Sequence, residues 1–190
     1  MRITSGEFGG RTIKVPPGIR PTQDKVRQAL FSSLGERIGG ARVLDLFAGS
    51  GALGLEAWSR GAESVCFVES DARVFPVLKE NIKTLCGEQS ALSVIRSDAI
   101  RFLESGRAGP FNLVLADPPY DRSGTARWLE KTLIGLEGHS MFPAPVLMVF
   151  ELSSGEDVIE RPGWSLIKDK RYGETRLLTY EKGSDLSRDV

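Results

Sequence analysis

Val43-Leu44-Asp45-Leu46-Phe47-Ala48-Gly49-Ser50-Gly51-Ala52-Leu53-Gly54 decides the fold. A short apolar run breaks off into glycines, and Leu53, Glu56, Ala57 and Arg60 then set a helical period that Gly61 closes. Strand, glycine-rich turn and helix in that order open a strand–helix–strand unit. The glycines let the backbone turn tightly and bring its amides close to a ligand at the helix N-terminus. By itself the Gly49-x-Gly51-x-x-Gly54 spacing serves a nicotinamide dinucleotide equally well. Glu69, ending the next apolar run, suits a ribose diol in either case.

Downstream, the alternation repeats. Residues 42–47 and 64–69 read as strands, and Asp71 then starts a helix with Val74, Val77, Leu78, Ile82 and Leu85 on one face. Pro76 falls early in that helix, where it can bend the entry. Strands follow at 92–96, 111–116 and 146–152, separated by helices at 98–104 and 125–136. Residues 164–171 and 175–181, around Tyr172-Gly173-Glu174, read as an antiparallel hairpin. The expectation is an α/β, doubly wound mixed sheet, mostly parallel, with an antiparallel hairpin strand near the C-terminus. Upstream, residues 3–15 suggest a small β-hairpin. Pro16-Pro17-Gly18 then breaks the chain before Thr22, a natural N-cap for a helix burying Val26, Ala29, Leu30 and Leu34. The expected organisation is a basic extension over 1–20, the main domain over 21–183 with helix 22–35 as its lead-in, and a polar tail over 184–190.

Composition sets outer limits. The 190 residues suit one domain of ordinary size, and no apolar run approaches the roughly 20 residues of a membrane span. The start carries no apolar stretch that resembles a signal sequence, so a cytoplasmic protein is expected. Cys66 and Cys86 have neither metal-ligand spacing nor histidines around them, which favours two buried or incidental thiols. His139, the only histidine, sits between Gly138 and Ser140 and reads as a surface turn. The formal charge of zero argues at first against a nucleic-acid partner. The sum conceals an asymmetry: Arg2, Arg11, Lys14, Arg20, Lys25, Arg27 and Arg37 face only Glu7, Asp24 and Glu36 in the first 40 residues. That basic end reads either as a partner surface or as a solvated charged segment.

Asp45 separates the possible cofactors. A carboxylate just before the glycine loop disfavours a pyrophosphate and favours the ammonium and sulfonium charges of S-adenosylmethionine, by Coulomb attraction in a partly desolvated cleft. The second signal is Asp117-Pro118-Pro119-Tyr120, directly after the fourth strand, at the edge where doubly wound sheets bind ligands. Two prolines fix the backbone and remove two amide donors, leaving the Asp117 carboxylate and the Pro118 carbonyl as a rigid rim of acceptors. An exocyclic base amine is a poor nucleophile because its lone pair is delocalised into the ring. Accepting both of its hydrogens orients it and raises its electron density, and Tyr120 can stack on the base.

Residues 43–51 resemble the first motif of the Rossmann-like methyltransferases, and Asp117 to Tyr120 resembles the (Asp/Asn)-Pro-Pro-aromatic signature of amino-group N-methyltransferases. The resemblance implies cofactor contacts from Asp45, Phe47, Gly49, Ser50, Gly51 and Glu69, with Asp98 and Ala99 near the adenine. Asp98 also reads as a helix N-cap. Arg2 to Arg11, and Arg20-Pro21-Thr22-Gln23-Asp24-Lys25-Val26-Arg27 with the residues after it, resemble the start of the bacterial RsmD family of 16S ribosomal RNA guanine-N2 methyltransferases. The likeness covers most of the chain and is only general over the closing hairpin. It implies guanine in 16S ribosomal RNA as the substrate, presented within an assembling small subunit in a bacterial cytoplasm. It also implies Arg2, Arg11, Lys14, Arg20 and Arg27 as phosphate contacts, although Arg20 and Arg27 could instead brace the loop beside the cofactor. Three rivals stand beside this reading. They are an adenine-N6 DNA methyltransferase, a nicotinamide oxidoreductase and a noncatalytic nucleotide- or RNA-binding module. No metal site is indicated.

Overall fold

The computed structural model describes residues 1–17, 24–120, 125–137 and 140–183. Its centre is a seven-stranded sheet in the order β3-β2-β1-β4-β5-β7-β6. The strands are β1 (Arg42–Asp45), β2 (Ser64–Glu69), β3 (Leu92–Arg96), β4 (Leu113–Ala116), β5 (Val146–Ser153), β6 (Trp164–Tyr172) and β7 (Thr175–Lys182). The first five are parallel, while β7 runs antiparallel to both β5 and β6. The sheet therefore has the doubly wound, mostly parallel form with an antiparallel closing hairpin.

Parallel strands buried on both faces read as continuous apolar runs, and here alternate residues feed two cores. Val43, Leu113, Leu115, Leu147 and Val149 meet helices α1 (Asp24–Leu34), α2 (Ala52–Ser59) and α3 (Phe75–Cys86) on one face. Leu44, Val114, Met148 and Phe150 meet α4 (Ala99–Ser105) and α5 (Trp128–Gly135) on the other. Strand order reverses between β1 and β4, which opens a crevice at the carboxyl ends of those strands. Among the described residues no helix is long and apolar enough to cross a membrane. Cys66 and Cys86 are free and buried, and burial pushes the Cys86 thiol up to about 11.

Several local expectations need correction. The N-terminal hairpin is minimal rather than a ladder: it has one antiparallel bridge, Arg2 with Thr12, flanked by Ile3 N–H to the Arg11 carbonyl and Ile13 N–H to the Met1 carbonyl (2.9 Å each). Other amides of the segment are satisfied by the body of the protein. Glu7 N–H donates to the Ser59 carbonyl (2.8 Å), Thr4 N–H to Glu56 Oε2 (2.7 Å) and Lys14 N–H to Asn81 Oδ1 (2.9 Å). The helix expected from Asp71 begins at Phe75, which puts Pro76 in its first turn, where the missing N–H costs no helical bond and no bend is needed. The expected strand over 42–47 ends at Asp45, because Phe47 takes a positive φ of 85°. The helix expected over 125–136 starts at Trp128. Thr22, His139 and the tail over 184–190 lie outside the described residues.

Candidate active site

The site starts from the turn after β1. Leu46 N–H donates to the Leu115 carbonyl of β4, while Phe47 and Ala48 N–H both reach the Val68 carbonyl of β2, so the chain is pinned to both neighbouring strands as it turns. The left-handed Phe47 is costly for a side-chain-bearing residue, and such strain collects at functional sites. Its ring packs edge-on against Trp128, centroids 5.5 Å apart. Gly51, at φ 86°, caps α2; a Cβ there would meet Leu78 Cδ1 at 2.6 Å. At Gly54 a Cβ would meet Phe67 Cε1 at 2.3 Å and Asp45 Oδ2 at 2.9 Å. These two glycines thus allow helix α2 to pack closely, and only Gly49 of the three lines the adjoining cavity.

That cavity, about 510 Å³, lies along the carboxyl edge of the sheet. It is lined by Asp45, Phe47, Gly49, Ser50, Glu69 and Ala99 from the expected cofactor set, and by all of Asp117, Pro118, Pro119 and Tyr120. Two expected residues are not in the lining. Gly51 turns toward the core, and Asp98 caps α4, its Oδ1 accepting from Ile100 and Arg101 N–H at 3.0 Å each, while its neighbours Ser97 and Ala99 face the cavity.

Carboxylates dominate the electrostatics. Asp45 is fully buried, and Gly54 N–H donates to its Oδ2 at 2.8 Å. Burial pushes its pKa up to about 7 against that hydrogen bond, with Asp117 and Glu69 adding repulsion. Glu69 is fixed at both oxygens: Gly49 N–H donates to Oε2 (2.8 Å) and Asp71 N–H to Oε1 (2.7 Å). Each oxygen keeps lone-pair capacity for a hydroxyl donor. At the far end the Tyr120 hydroxyl donates to Glu151 Oε1 (3.2 Å) and lies 2.9 Å from Thr175 Oγ1, and burial raises its pKa.

Glu151 and Thr175 were not anticipated as site residues. Glu151 carries a signal that could have been read, since it is the one charge inside the apolar run Val146-Leu147-Met148-Val149-Phe150-Glu151-Leu152. Thr175 carries none; it arrives only because β7 pairs with β5, Ser153 opposite Thr175.

The expected phosphate contacts divide. Arg2, Arg11 and Lys14 are exposed. Arg11 also donates to the Leu85 carbonyl (3.1 Å), and Lys14 pairs with Glu80 (2.5 Å). Arg20 lies outside the described residues. Arg27 must be withdrawn as a phosphate contact, because its side chain is completely buried. It donates to the Arg2 carbonyl and to Asp24 Oδ1 (2.8 Å), and lies 3.5 Å from the equally buried Glu56. Glu56 in turn holds Thr4 Oγ1 (2.5 Å) and Arg60 (2.8 Å). Asn81 extends the stitching to the site by donating to both the Lys14 and Ser50 carbonyls (2.9 Å each). Arg27 therefore braces the N-terminal segment against α2, beside the glycine loop.

Comparison with known proteins agrees with this architecture. A family model described as conserved hypothetical protein 95 matches residues 1–181. Ribosomal RNA small subunit methyltransferase D of Escherichia coli (strain K12) is 37% identical over 185 residues, covering 96% of this chain and 90% of that protein. Its namesake from Haemophilus influenzae is 34% identical, covering 95% and 93%. A solved Escherichia coli structure, provisionally named as the methyltransferase yhhF, is 37% identical with a TM-score of 0.84, covering 96% of this chain and 98% of its own. An RNA methyltransferase from Salinibacter ruber, solved with S-adenosyl-L-homocysteine, shares the fold at a TM-score of 0.62 and 14% identity, covering 90% and 98%. Matched along nearly its whole length by the family model and at more than a third identity by a full-length relative, the chain belongs to the conserved hypothetical protein 95 family, that of RsmD.

Proposed function

We propose that this protein transfers the methyl group of S-adenosylmethionine to the exocyclic N2 of a guanine in 16S ribosomal RNA, within an assembling small subunit in a bacterial cytoplasm. The observation that carries this reading is one continuous cavity lined both by the glycine loop with Glu69 and by the Asp117-Pro118-Pro119-Tyr120 rim.

The lining fits the cofactor chemically. Glu69, clamped by two amides, suits the ribose hydroxyls; Asp45 suits a cationic group; Gly49 and Ser50 leave backbone exposed to the cavity; and Ala99 forms an apolar wall for the adenine. Bound there, S-adenosylmethionine supplies a methyl carbon made electrophilic by its sulfonium charge. The protein's own groups act on the nucleophile. The Asp117 carboxylate and the Pro118 carbonyl accept the two amine hydrogens, which fixes the nitrogen lone pair toward the donor. Tyr120 offers its ring to the base while its hydroxyl is held by Glu151 and Thr175. Asp117 is also placed to take the proton released after transfer. Arg2, Arg11 and Lys14 supply phosphate contacts from the exposed N-terminal segment.

Incubation with radiolabelled S-adenosylmethionine and, separately, 16S ribosomal RNA, small subunits and duplex DNA tests the proposal. Label recovered as N2-methylguanosine from the RNA or the subunits is the expected result. Label confined to adenine or to DNA overturns it.

A further inference from the structure

Glu151 has no role in the scheme above beyond holding a hydroxyl, yet its position says more. In β4 and β5 the register pairs Leu115 with Val149 and Ala116 with Phe150, so the next step sets Asp117 beside Glu151, one strand spacing of about 4.8 Å away. Strand alternation puts both on the face carrying Leu113, Leu115, Leu147 and Val149. The same alternation on β1 and β2 places Asp45 and Glu69 on that face. Four carboxylates thus step across four adjacent strands at one sheet edge, Glu69, Asp45, Asp117 and Glu151, and all four line the cavity. Glu69 and Asp45 lie at the cofactor end and Asp117 at the reacting amine. Glu151, 5% exposed, lies one strand beyond the amine, where the rest of the base must go. The Tyr120 hydroxyl on Oε1 fixes its side chain.

The chemistry of the base edge gives that carboxylate a use. Guanine presents two adjacent donors, the N2 amine and the ring N1–H. Adenine presents its N6 amine beside a ring N1 that only accepts. Two carboxylates side by side match the first pattern and set acceptor against acceptor in the second.

We propose that Glu151 accepts the ring N1–H of the target guanine and so makes the acceptor rim specific for guanine over bases with an unprotonated N1. This rests on the guanine-N2 reading above.

The test compares small-subunit RNA carrying guanine or 2-aminopurine at the position that the wild-type protein methylates. 2-Aminopurine keeps the exocyclic amine at C2 and lacks the N1 hydrogen. Wild-type protein should prefer guanine by about a hundredfold or more in kcat/KM, as expected when a site built for a donor meets an analogue without it. In Glu151→Gln the new amide can still accept from Tyr120 and can also donate to an unprotonated N1. Guanine methylation should fall by about tenfold or more while 2-aminopurine is spared, collapsing the preference at least tenfold. Tyr120→Phe, which removes the hydroxyl that holds Glu151 Oε1, should narrow the preference less than Glu151→Gln does.

A Glu151→Gln protein that loses activity equally on both bases shows that the residue only supports Tyr120, and overturns the proposal. A wild-type preference below about tenfold overturns it even if the variant does not fold. Failure of the underlying reading is visible separately, as wild-type protein that puts no label on guanine at all, and it takes this proposal with it.

Discussion

The N-terminal segment and the carboxyl edge of the sheet are both crowded with charge, and the fold uses that charge in opposite ways. At the sheet edge, Glu69, Asp45, Asp117 and Glu151 are drawn together around a cavity, and burial pushes Asp45 up to about 7 rather than pairing it with a resident cation. Against the N-terminal segment, Arg27 of α1 is sealed among Asp24, Glu56 and the Arg2 carbonyl. Like charges gathered around open space attract a ligand of the opposite sign. Opposite charges gathered in a closed interior hold two pieces of chain together. Residue type alone does not say which of these a charge will do.

The comparison breaks most visibly at Arg27. Arg27→Met leaves Glu56 buried without this partner and should lower unfolding free energy by about 3–5 kcal/mol, read by denaturant titration. A variant of normal stability with weakened RNA binding would show that Arg27 is a phosphate contact after all. Asp117→Ala should do the reverse at the sheet edge. It should lower kcat by about 10² to 10³ while S-adenosyl-L-homocysteine affinity and melting temperature stay near wild type. Unchanged turnover would remove Asp117 from the mechanism.

A pH titration sharpens the cavity side further. The pKa of Asp45 is raised on folding from 3.8 to about 7, so its ionised form is disfavoured in the ligand-free protein, and this contribution to stability declines as pH rises from about 4 through about 7. The ammonium group of a bound ligand favours the ionised form and must expel a proton below that pH. Calorimetric affinity for S-adenosyl-L-homocysteine should therefore rise by up to about tenfold per pH unit below 7 and level off above it, and Asp45→Asn should flatten the curve. An affinity independent of pH in the wild-type protein would show that Asp45 does not face the cationic group.

The smallest effect belongs to the exposed cations. Arg2→Ala or Lys14→Ala should reduce the slope of log affinity for RNA against log salt by about one unit, and Arg27→Met should not. Equal slopes in wild type and in both exposed variants would argue that RNA docks elsewhere.

Much of the fold was legible because its signals are local. Strand β2 and strand β3 have the expected bounds, since β2 is an apolar run between Ser64 and Glu69 and β3 ends at Arg96 before the Ser97-Asp98 helix cap. The turn after β1 was readable because Gly51 takes a positive φ where the chain enters α2, a requirement local to the turn. Boundaries slipped where a neighbour in space decides them. Phe47 leaves the strand because β2 and β4 claim the backbone around it, and α3 begins late because Asp71 is occupied by Glu69 and by the Arg73 amide. The N-terminal stretch keeps cross-strand bonds at the Ile3, Gly10 and Ile13 amides, while the Glu7, Thr4 and Lys14 amides turn to Ser59, Glu56 and Asn81.

What the amino-acid order determined by itself was the alternation of strands and helices, the glycine turn, and the proline-stiffened Asp117 to Tyr120 segment after β4, because each depends on dihedral preference and hydrophobic period over a short span. Only the tertiary structure decided that Arg27 is interior, that Asp98 caps a helix instead of lining the cavity, and that Glu151 and Thr175 stand beside Tyr120. Those outcomes depend on strand order and register between segments far apart in the chain, and no local preference encodes them.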